Sequence, residues 1–570
     1  MTERGERGTN YTDWSISGYD RPAAVSLCRA GFNPLVATVL SSRGILTPEE
    51  AVKFTESGTE ALPDPMLITG MDRASERLKR AIAEKEPVAV FGDYDVDGIT
   101  ASCILVKYLR GKGLSCRLII PECREDGYGL SEKTVDEVAA SGIKLGVTVD
   151  CGITSVNEAE YAASLGMDII ITDHHECGLK TPRAVAVADP KIPGCRYPCK
   201  HLAGVGVAFS LVCACEGDAS AEKLLEEYSD LVALGTVADV MPVTGANRIL
   251  VKKGLEVMRK GLRPGIACLA RASGIDISAV TASVIGFSLG PRLNAAGRMG
   301  ETSLAVKLML SESEEEAETY AAALCEKNTC RRALECEMFE EALSLAENQP
   351  KSSAPLVVAS ENWHLGVAGI VASRLVEKLY RPAVVICVSD GVGRGSCRSV
   401  KGYSIHAALE AQSDILTAFG GHEMAAGLTV PADRIDELRE RLARYPADRT
   451  ASGPTLDVDF SVVKPGLLTY QNVSALSVLE PYGGGNAQPV LCFLDAFVEA
   501  ASGIGGGKHS KYRISKNGES FEGVFFGRPV EEGPSPGDRV DVAFTPQIND
   551  FRGRCSVQLF IVDIRRREGE

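Results

Sequence analysis

Three short stretches place acids and imidazoles directly behind runs of apolar residues. VAVFG runs into Asp93, Asp95 and Asp97, LGVTV into Asp150, and DIIIT into Asp173, His174 and His175. Carboxylate oxygens with one or two imidazoles and no thiolate form a hard donor set, which suits Mg²⁺ or Mn²⁺ better than structural zinc. Several carboxylates gathered in one place repel one another unless cations offset them, so the cluster asks for two ions rather than one. Two divalent ions about 3.5 to 4 Å apart activate a water and neutralise charge building on phosphorus. Phosphoester hydrolysis is the reaction such a site implies.

Each stretch also has a plainer reading. DYDVDG resembles the start of a calcium-binding EF-hand loop, but its twelfth position is Ile104 where a glutamate is required, and a strand pattern precedes it. A single aspartate after a strand, such as Asp150, is by itself most simply a turn residue. Consecutive histidines are harder to explain structurally, because neighbours on a strand point to opposite faces. Taken together, the three stretches favour a metal site.

The same pattern shows which elements must position these groups. From about 87 to 190, short β-rich runs alternate with helical stretches: VAVFG, RLII, LGVTV, DIIIT and AVAVA. That alternation predicts a doubly wound parallel sheet covered by helices on both faces. In such sheets ligands bind beyond the carboxyl ends of the strands, where the acids lie. Before it, residues 1–80 read as small helices, with Thr47-Pro48-Glu49-Glu50 as a helix start.

Between about 302 and 348, Ala317, Tyr320, Ala321 and Leu324, then Leu334, Met338, Ala342 and Leu345, keep a helical apolar stripe and predict a long connecting helix. Past Pro355 a second α/β segment begins with LVVAS and AVVICV. It carries six basic and two acidic residues between 374 and 401. Its Gly391-to-Arg398 stretch reads as a glycine-rich loop whose amides, hydroxyl and guanidinium groups suit a terminal phosphate. From about 455, short strands among Gly and Pro predict a small β-barrel or sandwich. There residues 505–516 contain no acid, with Lys508, Lys511, Arg513 and Lys516 placed to track phosphates. Tyr512, Phe525, Phe526 and Phe551 are candidates to stack bases or to fill the core.

Composition bounds the rest. At 570 residues with 45% apolar and 24% charged residues, the chain is a multidomain globular protein rather than a disordered or fibrous one. No apolar run is long enough to span a membrane, the N-terminus has no hydrophobic signal core, and the expected location is the cytoplasm. The 18 cysteines are scattered, and Cys195/Cys199 and Cys213/Cys215 lack the paired spacing of a zinc site. A net charge of −15 excludes a protein coated in basic surface, though not a local basic groove.

GDYDVDGITA, VDCGIT and ITDHHE, in this order at successive strand ends, resemble the motifs of the DHH phosphoesterase superfamily. LVALGTVADVMP, LGPRLNAAGRM, NWHLGVAGIVASRL, GSCRSVKGYSIHAAL, FGGHEMAAGL and LEPYGGGNAQPVL are similar to motifs of the RecJ family of single-strand-specific 5′ exonucleases, and the likeness runs from about residue 40. The resemblance implies Asp95, Asp97, Asp150, His174 and Asp239 as ligands of two divalent ions, Mn²⁺ or Mg²⁺, with Asp150 bridging. Asp239 rests on the resemblance alone. Asp93 and Asp173 match motif positions that orient a ligand or hold the loop, and His175 matches the residue beside the scissile phosphate. Ser396, Arg398 and Arg124 match 5′-phosphate contacts. His422, in FGGHEMAAGL, matches the family's substrate-closing segment, and His364, Arg292, Asn294 and Arg298 match motifs bordering the substrate channel. His201, His406 and His509 receive no catalytic role.

The implied architecture is an α/β multidomain chain. It comprises an N-terminal helical segment (1–80), a doubly wound DHH domain (81–301), a connecting helix (302–350), a smaller α/β DHH-associated domain (351–454) and a C-terminal OB-like β-barrel (455–570). The implied function is two-metal, 5′ to 3′ exonuclease action on single-stranded DNA in recombination and repair. A single-strand-binding protein and a RecQ-type helicase are its implied partners, with no membrane. Two other readings stand beside it: a short-RNA or cyclic-dinucleotide phosphodiesterase, and a non-catalytic replication scaffold with a DHH-like fold. Because the metal site and the end-binding loop precede 455, a fragment ending there is expected to cleave short strands still, if it folds, with a weaker grip on long ones.

Overall fold

The computed structural model describes residues 11–56, 58–121, 129–350, 354–446, 453–551 and 554–567. The chain divides into two compact units. One contains Ser57–Met338 with Pro481–Ala487, and the other contains Met1–Glu56, Phe339–Glu480 and Gln488–Glu570.

The first unit is built on a five-stranded sheet in which every pairing is parallel. Its spatial order is Cys116–Ile119, Val88–Gly92, Leu145–Val149, Asp168–Thr172 and Ala186–Ala188. Alternation along one strand sends its side chains to two different cores. Val88 and Val90 pack with Ile99, Leu105 and Val205 on one face, while Ala89 and Phe91 pack with Val135, Val138 and Ala162 on the other. Strands buried on both faces read as continuous apolar runs, which is why the sequence marked them. The helix Val96–Gly111 is apolar nearly all round because other helices cover it, Gly204–Glu216 and Ala221–Ala238 among them.

The predicted connecting helix is divided. Thr302–Leu310 ends where Ser311 turns extended, and a 34-residue helix Glu314–Glu347 comes after it. In the second unit, a five-stranded sheet runs in the order Ala418–Gly421, Ala425–Pro431, Val392–Arg398, Ala383–Ser389 and Leu356–Ser360, with only the last two parallel. The stretch read as a glycine-rich loop is therefore the central strand Val392–Arg398. Its amides face ladder partners on both sides, and Gly393 and Gly395 are glycines because a Cβ would meet Ile386 at 2.8 and 3.1 Å.

The C-terminal strands form a barrel. Leu491–Ile504, His509–Lys516, Glu519–Phe525, Arg554–Arg566 and Arg539–Phe551 pair in sequence, and Leu491–Ile504 closes onto Arg539–Phe551. Phe493, Phe544, Tyr512 and Ile514 fill its interior. Gly505, Gly506 and Gly507 turn one hairpin with φ of +61°, +70° and +85°, a path that only glycine takes without strain. The N-terminal segment holds helices Arg21–Arg29, Pro34–Ser42 and Pro48–Glu56. At the last of these Thr47 and Glu50 cap each other's backbone amides. It also holds a strand the sequence reading missed: Asp13–Ile16 pairs in parallel with Thr455–Val458.

Candidate metal centre

The ends of the parallel strands converge as expected. Asp95 caps the helix Val96–Gly111 by accepting from Gly98 N–H at 3.0 Å. Gly98 sits against Asp93, where a Cβ would stand 2.5 Å from the carbonyl oxygen, so the turn DYDVDG requires glycine there. Asp97 is buried and accepts from Gly204 N–H at 2.7 Å and Val205 N–H at 2.8 Å, the first amides of the helix Gly204–Glu216. Asp150 comes directly after its strand with φ +60°, a left-handed conformation that turns the carboxyl inward, and its amide donates to the Thr172 carbonyl. Asp239 ends the helix Ala221–Ala238.

His174 stands at the centre. Its Nε2 lies 3.0 Å from Asp150 Oδ1, 3.7 Å from Asp239 Oδ2 and 3.8 Å from Asp97 Oδ2. Three overlapping groups of donor atoms fall within 4.8 Å of one another: Asp150, His174 and His175; Asp97, His174 and Asp239; and Asp93, Asp95 and Asp150. Among the described residues, Asp150 Oδ1 and Asp239 Oδ2 are buried with no hydrogen-bond partner. Buried carboxylate oxygens without donors are expensive, and cations relieve that cost.

The titration behaviour has its origin in the same crowding. Burial, then the charges of Asp97 and Asp95, holds Asp150 well above the usual carboxylate range. Burial and the neighbouring acids push Asp97 up to about 7 and Asp239 up to about 9. Burial, reinforced by His175, pulls His174 down to about 3, so its ring is neutral and its lone pair free to ligate. The donor set, the crowding and the orphaned oxygens all fit divalent cations.

Asp173 and His175 form a separate pair. Asp173 Oδ2 accepts from Ile153 N–H at 2.9 Å, while Oδ1 accepts from His174 N–H and lies 2.7 Å from His175 Nδ1. Burial opposes ionisation of Asp173, yet the His175 hydrogen bond and charge keep its carboxyl below the ordinary range. Burial likewise opposes protonation of His175, but the Asp173 bond prevails and raises the ring to about 9. The His175 side chain is about two-fifths exposed, so a protonated ring reaches solvent at the mouth of the cluster.

The helix Gly290–Arg298 supports the cluster from outside. Asn294 Oδ1 accepts from Val96 N–H at 3.1 Å, and the Arg298 charge acts on Asp95. Arg292 Nη1 is held by the carbonyl and hydroxyl of Ser288. One acid escaped the sequence reading: Asp189, directly behind the fifth strand, is fully buried with Oδ2 unpartnered among the described residues. Its signal was the one that marked the other acids, an aspartate at the carboxyl end of a parallel strand.

The expected phosphate contacts lie in the second unit, apart from Arg124, which falls outside the described residues. Arg398 Nη1 donates to Ser396 Oγ at 3.2 Å, and both side chains stand over Gly369, whose absent Cβ leaves them room. Gly369 belongs to the helix Leu365–Leu379, capped by His364 through Nδ1. His422 lies in the turn before Ala425, the residue paired with Arg398. In the barrel, Lys511 pairs with Glu522 and Arg513 with Glu499, whereas Lys508 is exposed and makes no ion pair among the described residues. Tyr512 and Phe525 are core residues. Phe526 is 55% exposed and packs between the His509 and Phe560 rings, edge-on to the first and tilted against the second.

Comparisons with known proteins agree with these parts. Residues 87–236 match the model of the DHH family N-terminal domain, 353–447 the DHHA1 domain and 460–563 the RecJ OB domain. The single-stranded-DNA-specific exonuclease RecJ of Bacillus subtilis (strain 168) is 38% identical over 559 residues, covering 96% of this chain and 70% of the relative. The protein of the same description from Escherichia coli (strain K12) is 35% identical, covering 93% and 96%. Among solved structures, RecJ from Thermus thermophilus in complex with Mn²⁺ superposes with a TM-score of 0.83 at 30% identity, covering 98% of this chain and 80% of that one. The Mg²⁺ complex from the same source gives 0.77 at 28% identity, covering 98% and 79%.

Proposed function

The chain belongs to the RecJ family, and from that membership we propose that it is a single-stranded-DNA-specific exonuclease. It hydrolyses phosphodiester bonds from the 5′ end with two divalent ions, Mn²⁺ or Mg²⁺. The observation that carries the reading is the cluster of buried Asp97, Asp150 and His174 with half-buried Asp239, in which Asp150 Oδ1 and Asp239 Oδ2 have no hydrogen-bond partner among the described residues. Asp95, Asp97, Asp150, His174 and Asp239 would hold the two ions. When bound, the ions supply an activated water and neutralise charge on the phosphoryl oxygens.

The remaining steps fall to the chain's own groups. Asp173 fixes the His175 ring and keeps it protonated near neutral pH, so that it can stabilise charge at the phosphate or deliver a proton to the leaving oxygen. Asp93 holds the turn that presents Asp95. Ser396 and Arg398, with Arg124, contact the terminal phosphate, His364 and Arg298 border the substrate channel, and His422 belongs to the segment that closes over substrate. Lys508, Lys511, Arg513 and Phe526 extend the grip along the barrel. The barrel also speaks against a cyclic-dinucleotide phosphodiesterase, and the intact ligand set against a non-catalytic scaffold. We further place the protein in the cytoplasm, in recombination and repair beside a single-strand-binding protein and a RecQ-type helicase. No helix of the described residues is long and apolar enough to cross a membrane.

The deciding experiment is digestion of end-labelled DNA and RNA, phosphorylated or not, with Mn²⁺, with Mg²⁺ and with EDTA. Metal-dependent release of mononucleotides from the 5′ end of single-stranded DNA is expected. Release from the 3′ end, or activity in EDTA, overturns the reading.

A further inference from the structure

The segment Pro481–Ala487 lies far along the chain from the metal ligands, yet it belongs to their compact unit. It is folded tightly on itself. Gly483 and Asn486 exchange backbone hydrogen bonds, Asn486 Nδ2 donates to the Pro481 carbonyl at 2.9 Å, and Asn486 is only 3% exposed. The buried Arg248 donates to the same carbonyl.

This hairpin is pressed against the turn just past Asp239. Val243 N–H donates to the Gly484 carbonyl at 2.7 Å. A Cβ on Gly483 would stand 2.6 Å from Val243 Cγ2, and one on Gly484 would stand 3.2 Å from the Val240 carbonyl oxygen. Gly485 adopts φ +68° against Pro242 and Thr244. The glycines are thus required by the closeness of the turn they touch.

The braced turn is itself strained. Val240, next to Asp239, adopts φ +58° although it is β-branched, and the residue is 75% exposed. Such a conformation persists only where surrounding contacts over-determine it. The reversal at Val240 lets Asp239 complete its group with Asp97 and His174 while the chain leaves the cluster at once.

We propose that the hairpin Pro481–Ala487 is a latch that holds the strained turn after Asp239 and so positions that carboxylate for a divalent ion. The proposal rests on the metal-centre reading above, because the latch acts through Asp239. Its residues are positioning residues and touch neither ion nor substrate.

The test uses the full chain and Mn²⁺ alone, with binding measured by calorimetry. Gly484→Val should crowd the Val240 carbonyl and weaken one Mn²⁺ site at least tenfold. Single-stranded DNA binding in EDTA should stay unchanged, and kcat should recover as Mn²⁺ is raised. Adding Val240→Gly, which makes the left-handed turn strain-free, should restore much of the lost affinity. Asn486→Ala, which loosens the hairpin without adding bulk, should give a smaller loss in the same direction. It also serves if Gly484→Val does not fold. Equal Mn²⁺ affinity in the folded variants and the unaltered chain overturns the latch. Absence of Mn²⁺ binding by the unaltered chain would instead overturn the metal centre on which it rests.

Discussion

Gly204 lies so close to Asp150 that a Cβ built on it would stand 2.4 Å from Asp150 Oδ1, while its own amide donates to Asp97. One small residue at a helix start thus serves two carboxylates of the cluster. Gly204→Ala should displace the Asp150 carboxyl and lower Mn²⁺ affinity by about 10- to 100-fold, as other disturbances around metal ligands do. Calorimetric titration checks this, and unchanged affinity would show that the close approach has no bearing on the ions.

Asp150→Asn should reduce hydrolysis about a thousandfold or more while leaving single-stranded DNA binding in EDTA largely intact. Because burial and the neighbouring acids oppose a charge on Asp150, whose Oδ1 has no hydrogen-bond partner among the described residues, the neutral variant should also melt higher than the unaltered chain when both are metal-free, by the equivalent of about 1 kcal/mol or more. The rise in melting temperature that Mn²⁺ produces in the unaltered chain should shrink. Retention of more than a tenth of the activity would contradict the site.

The Asp173–His175 pair sets a pH dependence. The pair raises His175 to about 9, so the protonated ring contributes stability that is complete below its ordinary value of 6.5 and is lost as pH rises through about 9. Asp173→Asn removes that support. The alkaline limb of kcat/KM, measured with Mg²⁺ between pH 6 and 10, should move down by about two pH units. A limb that stays in place would exclude His175 as the titrating group.

Arg398→Ala should narrow the advantage of a 5′-phosphorylated strand over a 5′-hydroxyl one, since a forked, charge-assisted contact is lost. Comparing kcat/KM on the two substrates reads this directly. Equal digestion of both by the unaltered protein would refute the phosphate assignment at Ser396 and Arg398.

In the barrel, Phe526→Ala should weaken binding to a long single strand by about 1 to 3 kcal/mol. A phosphate-contacting Lys508 should flatten the salt dependence by about 0.7 when substituted. Lys511 and Arg513 are already paired with Glu522 and Glu499, so replacing them should flatten it less. Affinities titrated at several salt concentrations decide, and slopes unchanged from the unaltered chain in all three lysine and arginine variants would mean that this hairpin does not track phosphate.

The sequence alone determined the parallel sheet, its burial on both faces and the convergence of Asp95, Asp97, Asp150 and His174 at the strand ends. These rest on local periodicity and on a rule of topology: strands buried on both sides must be apolar, and the residues at their carboxyl ends must share one edge of the sheet. The tertiary structure decided the features that depend on pairs remote in the chain. Val392–Arg398 looks like a loop because its glycines make room for Ile386 and Leu428, which no local pattern reveals. Asp13–Ile16 pairs with a strand that begins at Thr455, and the hairpin at Gly484 braces the turn after Asp239. A chain ending near 455 would lack this hairpin, a contact that residue order alone does not show. Contacts of this kind are fixed by the shape of the folded surfaces. The sequence carries them only as glycines and short polar turns whose partners cannot be read until the chain has brought them together.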